Sequence, residues 1–394
     1  MIRALLLILC VSIPISASAD FSDDFEFSGF ARVVAGYYDQ DDSVLRSYTN
    51  ELEFGEDSLI ALRGDYSISD SLSIVAQGLL HSSELRDSGL QWLYLDYSPS
   101  RSFSLKLGRQ RIPFFQYSDV IDVGFAYPQV TLPVAMYSDF LFTEFDGLLG
   151  RYNFGTSYFS GYAEAYYGGY EGNINIFSQD ISADVTNVGG VVFEARKGKL
   201  TLRASHHQGD ADVRQESLEG FAQVLKQFGF TKTADSLRIN DQASIQQIGF
   251  AYEDLDYFVR AEHMIITSDA FLVSKRRASY ITAGINHYPF TYHVTAAYGK
   301  AVLDDPPNEL RFGINPQIDA LTAGFNAILD GIPPDQGHQY TIGVRYDIKT
   351  NLALKAEVSF IEGSEGTRGF VDIPSPNRTQ QSGQLFQIAA EWVF

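Results

Sequence analysis

From Phe25 to its last residue the chain is written largely in period two, with apolar and polar side chains alternating through about sixteen segments. The closing stretch QLFQIAAEWVF shows the pattern plainly. Phe386, Ile388, Ala390, Trp392 and Phe394 share one parity, and Gln387, Ala389 and Glu391 share the other. Alternation of this kind is a β-strand with one apolar face. Here it runs to an aromatic end with no polar tail, although a free strand end frays into water. The pattern calls for a partner along the whole of the last strand, which a sheet closed on itself provides while removing both edges.

The segments run from FEFSGFARVVAGYY (residues 25 to 38) and SLIALRGDYSI (58 to 68) to HQYTIGVRYDIK (338 to 349) and LALKAEVSFIE (352 to 362). Their lengths suit a tilted membrane-crossing strand of ~9 to 11 residues. The links between them alternate. Tight turns such as SDS, SPSR, KGK and KTN follow the even-numbered segments. After odd-numbered segments the links are mostly long: residues 39 to 57, 111 to 144, 169 to 185, 209 to 243, 303 to 337 and 363 to 382. An antiparallel meander with short turns at one end and long loops at the other is the plan of a transmembrane β-barrel.

Parity assigns the two faces. Ile60, Leu62, Tyr66 and Ile68 look outward on the second strand, Tyr340, Ile342, Tyr346 and Ile348 on the fourteenth, and Leu354, Val358 and Phe360 on the fifteenth. Arg63, Asp65, Arg345, Asp347, Lys355 and Glu357 fall on the opposite parity. Charges confined to the inner face predict a wet lumen, because a charge facing lipid at the bilayer midplane costs ~2 to 4 kcal/mol. A soluble β-sandwich would show the same alternation, but it would need the apolar face to fill a core.

The N-terminus MIRALLLILCVSIPISASA, with Arg3, an apolar run and Ala17-x-Ala19, reads as a secretory signal peptide over residues 1 to 19. Cys10, the only cysteine, lies within it and follows Leu9 where a lipoprotein site would carry a small residue, so the mature chain from Asp20 has no thiol. No later apolar run approaches the ~18 residues of a spanning helix. A net charge of −20 argues against a nucleic-acid partner, since phosphate contacts need a basic face.

The final strand ending in Phe, with Trp392 and Phe394 as an assembly signal, resembles the bacterial outer-membrane β-barrels. The stretch RIPFFQYSDVIDVGFAYPQVTLPVAMYSDFLFTEFDG after the fifth strand is too apolar and proline-rich for a solvated loop. It resembles the third loop of the trimeric general diffusion porins, which folds into the channel. That resemblance implies an all-β transmembrane antiparallel barrel of about 16 strands over residues 20 to 394, with long extracellular loops and an in-folded third loop at 111 to 144. It further implies a homotrimer in the outer membrane's lipid bilayer, passing small hydrophilic solutes and ions by diffusion, with no cofactor. The family opposes loop acids to wall bases. Here the loop acids are Asp119, Asp122 and Asp139, with Glu144 and Asp146 opening the next strand, and the inward bases are Arg32, Arg63, Lys106, Arg345 and Lys355.

Two long loops read as helices: NPQIDALTAGFNAILDGIPP, capped by Asn315 with Pro316 first in the helix, and ESLEGFAQVLKQFGF. Catalytic patterns are lacking. His206 and His207 are adjacent on a strand and so point to opposite faces, and neither a GxSxG elbow nor an HExxH pair occurs. Alternatives to a diffusion channel are a substrate-selective channel, suggested by inward Trp92, Tyr94, Tyr158 and Tyr162, and an adhesin or receptor scaffold acting through the loops.

Overall fold

The structure, a computed structural model, describes residues 24–83, 86, 88–138, 142–176 and 179–394. The expected signal peptide therefore lies outside the described residues. Sixteen strands follow one another: β1 (Phe25–Tyr38), β2 (Leu59–Ser69), β3 (Leu72–His81), β4 (Gly89–Ser100), β5 (Phe103–Arg111), β6 (Glu144–Gly155), β7 (Ser160–Ile176) and β8 (Gln179–Lys197). The second half comprises β9 (Leu200–Arg214), β10 (Ile239–Glu253), β11 (Tyr257–Ser268), β12 (Lys275–His287), β13 (Phe290–Val302), β14 (Asp335–Lys349), β15 (Leu352–Gly363) and β16 (Ser382–Val393). Each strand pairs antiparallel with its sequence neighbours and β16 returns to β1, closing the barrel.

Closure is made at the chain's last residue. β16 lies along β1 from Val393 opposite Phe30 to Leu385 opposite Tyr38. The backbones of Gly29 and Phe394 then exchange two hydrogen bonds, at 2.8 and 2.9 Å. A Cβ on residue 29 would come within 2.5 Å of the Phe394 ring, so this seam needs glycine. Trp392 packs on the same ring with centroids 4.6 Å apart. The chain ends where its pairing ends.

Parity sorts the side chains as lipid and water require. The outward residues Ile60, Leu62, Tyr66, Ile68, Tyr340, Ile342, Leu354 and Phe360 are exposed on the outer wall. Two strand pairs run further than the sequence pattern indicates. Within the expected loop at 169 to 185, residues 169 to 176 and 179 to 185 are extensions of β7 and β8, and β9 and β10 likewise enter the expected loop at 209 to 243. An antiparallel ladder needs only backbone partners, so beyond the membrane it continues without an apolar face to announce it.

The main core lies inside the barrel. Tyr38, Leu45, Tyr48, Phe115, Met136, Val371 and Leu385 are buried in one cluster drawn from the loop between β1 and β2, the loop between β5 and β6, and the loop between β15 and β16. Fully burying side chains of this size contributes ~1.5 to 3 kcal/mol each. A second cluster joins three loops at the long-loop end. There helices Glu216–Gln227, Thr231–Asp235 and Pro316–Asp330 pack about Leu225, Ala234 and Phe325. As the sequence predicts, the Asn315 side chain caps the last helix, accepting from the Gln317 and Ile318 N–H groups at 3.0 and 2.9 Å.

Candidate functional site

After β5 the chain turns into the barrel, and most of residues 112 to 137 are buried. Pro113, Pro128 and Pro133 keep this stretch out of strands and leave it only short helical turns at Ser118–Val120, Gly124–Ala126 and Val134–Tyr137, so many backbone groups must be satisfied by something other than a ladder. The inner wall supplies the partners. Lys355 Nζ on β15 donates to the carbonyls of Gly124, Tyr127 and Gln129 at 2.8, 2.7 and 2.8 Å. Glu357, two residues on, accepts from the Val130 and Thr131 N–H groups at 2.8 and 3.2 Å. Arg32 on β1 donates to the Val130 carbonyl at 2.6 Å, and Arg345 on β14 to the Phe125 carbonyl at 2.5 Å. Arg203 on β9 reaches the Pro113 and Phe114 carbonyls, while Glu262 on β11 accepts from the Gln116 N–H at 3.0 Å and from the Tyr137 hydroxyl. A buried polar group left unpaired costs ~1 to 3 kcal/mol, so these contacts fix the loop to one part of the wall.

The lumen is consequently asymmetric. Lumen-facing Thr282, Thr295, Thr341, Lys355, Glu357 and Ser359 on β12 to β15 are at most 6 % exposed. On the opposite side Arg63, Asp65 and Arg151 keep 35, 25 and 30 % side-chain exposure, and Asp119 of the loop keeps 61 %. The wet passage therefore follows β2 to β6, with the loop as its facing wall. Asp119 stands 3.9 Å from Arg151, which also binds Glu164 at 2.6 Å. Three bases in this region lie over aromatic rings: Arg63 over Trp92 at 5.8 Å, Lys106 over Tyr94 at 5.1 Å and Arg151 over Tyr162 at 4.4 Å.

No family model and no curated protein matches this chain. Solved structures do. An anion-selective porin from Comamonas acidovorans is 13 % identical, covering 94 % of this chain and 99 % of that one with a TM-score of 0.56. OmpT, an outer-membrane protein of Vibrio cholerae, is 13 % identical over 95 % of this chain and 99 % of its own, with a TM-score of 0.55. The outer-membrane channel DcaP of Acinetobacter baumannii is 11 % identical over 94 and 97 %, with a TM-score of 0.53. The chain has the porin fold.

Within this porin fold the expected site residues divide. Arg63, Lys106 and Asp119 reach the open side of the lumen, as parity and loop position imply. Arg32 and Lys355 point inward but lie beneath the loop at 6 and 3 % exposure, so they hold the loop and do not line the passage. Arg345 lies under it in the same way and pairs with Asp347 at 2.8 Å. Asp122 is buried between Arg111 and Arg86 at 2.6 and 2.5 Å. Burial alone would raise its carboxyl, but the two guanidiniums hold it far below the usual carboxylate range. It is a strut within the loop and presents no charge to the lumen. Glu144 also meets Arg111, at 3.3 Å. Asp146 shares parity with outward Leu148 and Tyr152 and pairs with Arg109 at 2.7 Å on the outer wall, which removes it from the lumen. Asp139 lies outside the described residues. Tyr158 sits in the turn after β6 at 78 % exposure and is not inward.

Three porin-fold residues of consequence were not singled out in the sequence. Arg151 could have been found from parity, since it alternates with outward Leu148, Gly150 and Tyr152. Arg111 and Arg203 act through loop carbonyls and a loop acid, and no sequence pattern announces such partners. His206 and His207 do point to opposite faces, with buried His207 Nδ1 2.8 Å from the Tyr166 hydroxyl. Among the described residues no group of three or more His, Cys, Asp or Glu is placed to hold a metal.

Proposed function

We propose that this chain is an outer-membrane porin, exported by cleavage of residues 1 to 19, through which small hydrophilic solutes and ions diffuse passively. The observation that carries the reading is the in-folded stretch of residues 112 to 137, fixed to one side of the lumen so that a polar, partly exposed passage remains along β2 to β6. Lipid meets the apolar outer wall, and the charged inner wall meets water. No catalytic or cofactor role is assigned. Reconstitution into liposomes with a graded series of sugars and amino acids tests this: swelling that falls smoothly with solute size is expected, and no swelling with any solute would overturn it.

A homotrimer forms part of the same proposal. One of the OmpT structures is described as a trimer form, at 12 % identity and a TM-score of 0.53. On the present chain Ala31, Ala163 and Ala165 make low stretches of the outer wall where another subunit can approach. Only monomers in native mass measurement from mild detergent would contradict it. A substrate-selective channel is the second reading, favoured by the three base-over-ring contacts in the passage.

A further inference from the structure

Lys106 is the base that the passage leaves unmatched. Arg63 is held by Asp65 through two hydrogen bonds of 2.7 Å, and Arg151 is held by Glu164. Asp96 stands directly opposite Lys106 in the β4–β5 ladder but accepts the Ser98 hydroxyl at 2.7 Å. The Lys106 ammonium turns over the Tyr94 ring and, among the described residues, has no carboxylate within ion-pair distance. It opens on a polar cavity of about 640 Å³ at the short-turn end, lined also by Asp96, Ser98, Ser100, Arg101 and Ser104. Ser100 Oγ accepts the Phe103 N–H at 3.2 Å and keeps its own O–H to donate. Glu164 and Asp119 both face Arg151, and Asp96 offsets the exposed Arg101, so the positive charge left to meet a solute is that of Lys106, beside the Ser100 hydroxyl.

Resting on the channel reading, we infer that this cavity binds the carboxylate or phosphate group of a small anionic solute, with Lys106 as its principal charge. Charge-assisted hydrogen bonds are about twice as strong as neutral ones. Asp96 and the surrounding water keep the site weak enough to release what it binds, which conduction requires. The passage thus has a selective step below its narrowing, on the side where solute leaves the loop.

Inorganic phosphate is the probe. Its ³¹P line width is titrated with detergent-solubilised wild type, Lys106→Gln and Arg109→Gln, all checked for the same folded gel mobility. Arg109 lies on the same strand but faces outward, so its removal controls for net charge. Saturable broadening is expected for wild type and Arg109→Gln, with binding about tenfold weaker in Lys106→Gln, as the loss of one charge-assisted contact implies. Equal binding by Lys106→Gln and wild type, equal loss in both variants, or no saturation in wild type would overturn the inference. Planar-bilayer currents separate it from the channel reading. Lys106-dependent binding without any current would sink the channel and keep the site. Current without Lys106-dependent binding would do the reverse.

Discussion

Lys355 and Glu391 meet across the β15–β16 seam, Nζ to Oε2 2.5 Å, with side-chain exposures of 0 and 1 %. The geometry is that of an ion contact, and the directed hydrogen bonds of the ammonium go to three loop carbonyls. One side chain therefore ties the loop to the wall and neutralises a buried acid. Breaking a buried pair from one side costs ~3 to 5 kcal/mol, more than the pair's own worth, because the survivor stays charged and dry. Arg32, 3.8 Å from Glu391, remains in Lys355→Met and limits the loss to the low end of that range. The thermal midpoint should fall in Lys355→Met and partly recover in Lys355→Met with Glu391→Gln. A double variant less stable than the single would contradict this placement.

Gly124 presses on the same acid. A Cβ there would lie 2.2 Å from Glu391 Oε1, so Gly124→Ala must lift the loop or swing the carboxylate. Overpacking costs ~1 to 3 kcal/mol. Single-channel recordings should show a changed conductance in Gly124→Ala, since the displaced segment faces the passage. Conductance and stability both equal to wild type would show that the loop does not rest on Glu391.

Asp119 and Asp122 are three residues apart and separate functionally. Asp119→Asn removes an exposed lumen charge and should shift the zero-current potential in a potassium chloride gradient toward chloride. Asp122→Asn removes the partner of Arg111 and Arg86. It should lower stability by ~3 kcal/mol, the low end of the cost of breaking a buried pair from one side, because Glu144 still meets Arg111. Equal potential shifts from the two variants would refute the distinction.

Asp57, in the loop between β1 and β2, gives a pH dependence. Burial would raise its carboxyl, yet Arg46 and Arg32, with the Tyr48 hydroxyl, hold it down to about 2 from the ordinary 3.8. A carboxyl depressed in the fold contributes stability that is complete above its unfolded value and is lost as pH falls through its folded one. The window is therefore pH 4 to 2. Melting measured from pH 7 downward should stay level to about 4 and then decline. Asp57→Asn should be less stable at pH 7 and flatter below 4; an unchanged acid limb would remove Asp57 as its source.

The strands were readable in the sequence because lipid and water impose opposite demands on alternate residues, and that contrast repeats along the whole wall. Ile60, Leu62 and Arg63 declare their faces without any knowledge of their neighbours. Inside the lumen the contrast disappears. Lys106 and Lys355 both face inward with the same charge, yet one meets solvent and the other meets three carbonyls, because the resting place of the loop decides between them. Asp146 differs for another reason: it adjoins the loop in sequence, but its parity with exposed Leu148 sets it on the outer wall. The alternation of β16, in contrast, was legible, since Phe386, Ile388, Ala390 and Trp392 keep one face along the whole strand that pairs with β1.

A two-site cysteine test addresses the asymmetric lumen most directly. The single native cysteine, Cys10, lies in the expected signal peptide, so the exported chain offers a clean background. Asp119→Cys places a thiol on the exposed loop face of the passage, and Ser359→Cys places one on the wall beneath the loop, where Ser359 is 2 % exposed. Currents through each variant in a planar bilayer are followed while a charged, thiol-specific reagent is added. The expected result is prompt block of Asp119→Cys and little or no effect on Ser359→Cys. Block of Ser359→Cys with Asp119→Cys untouched, or equal block of both, would show that the passage does not run where the loop leaves it open.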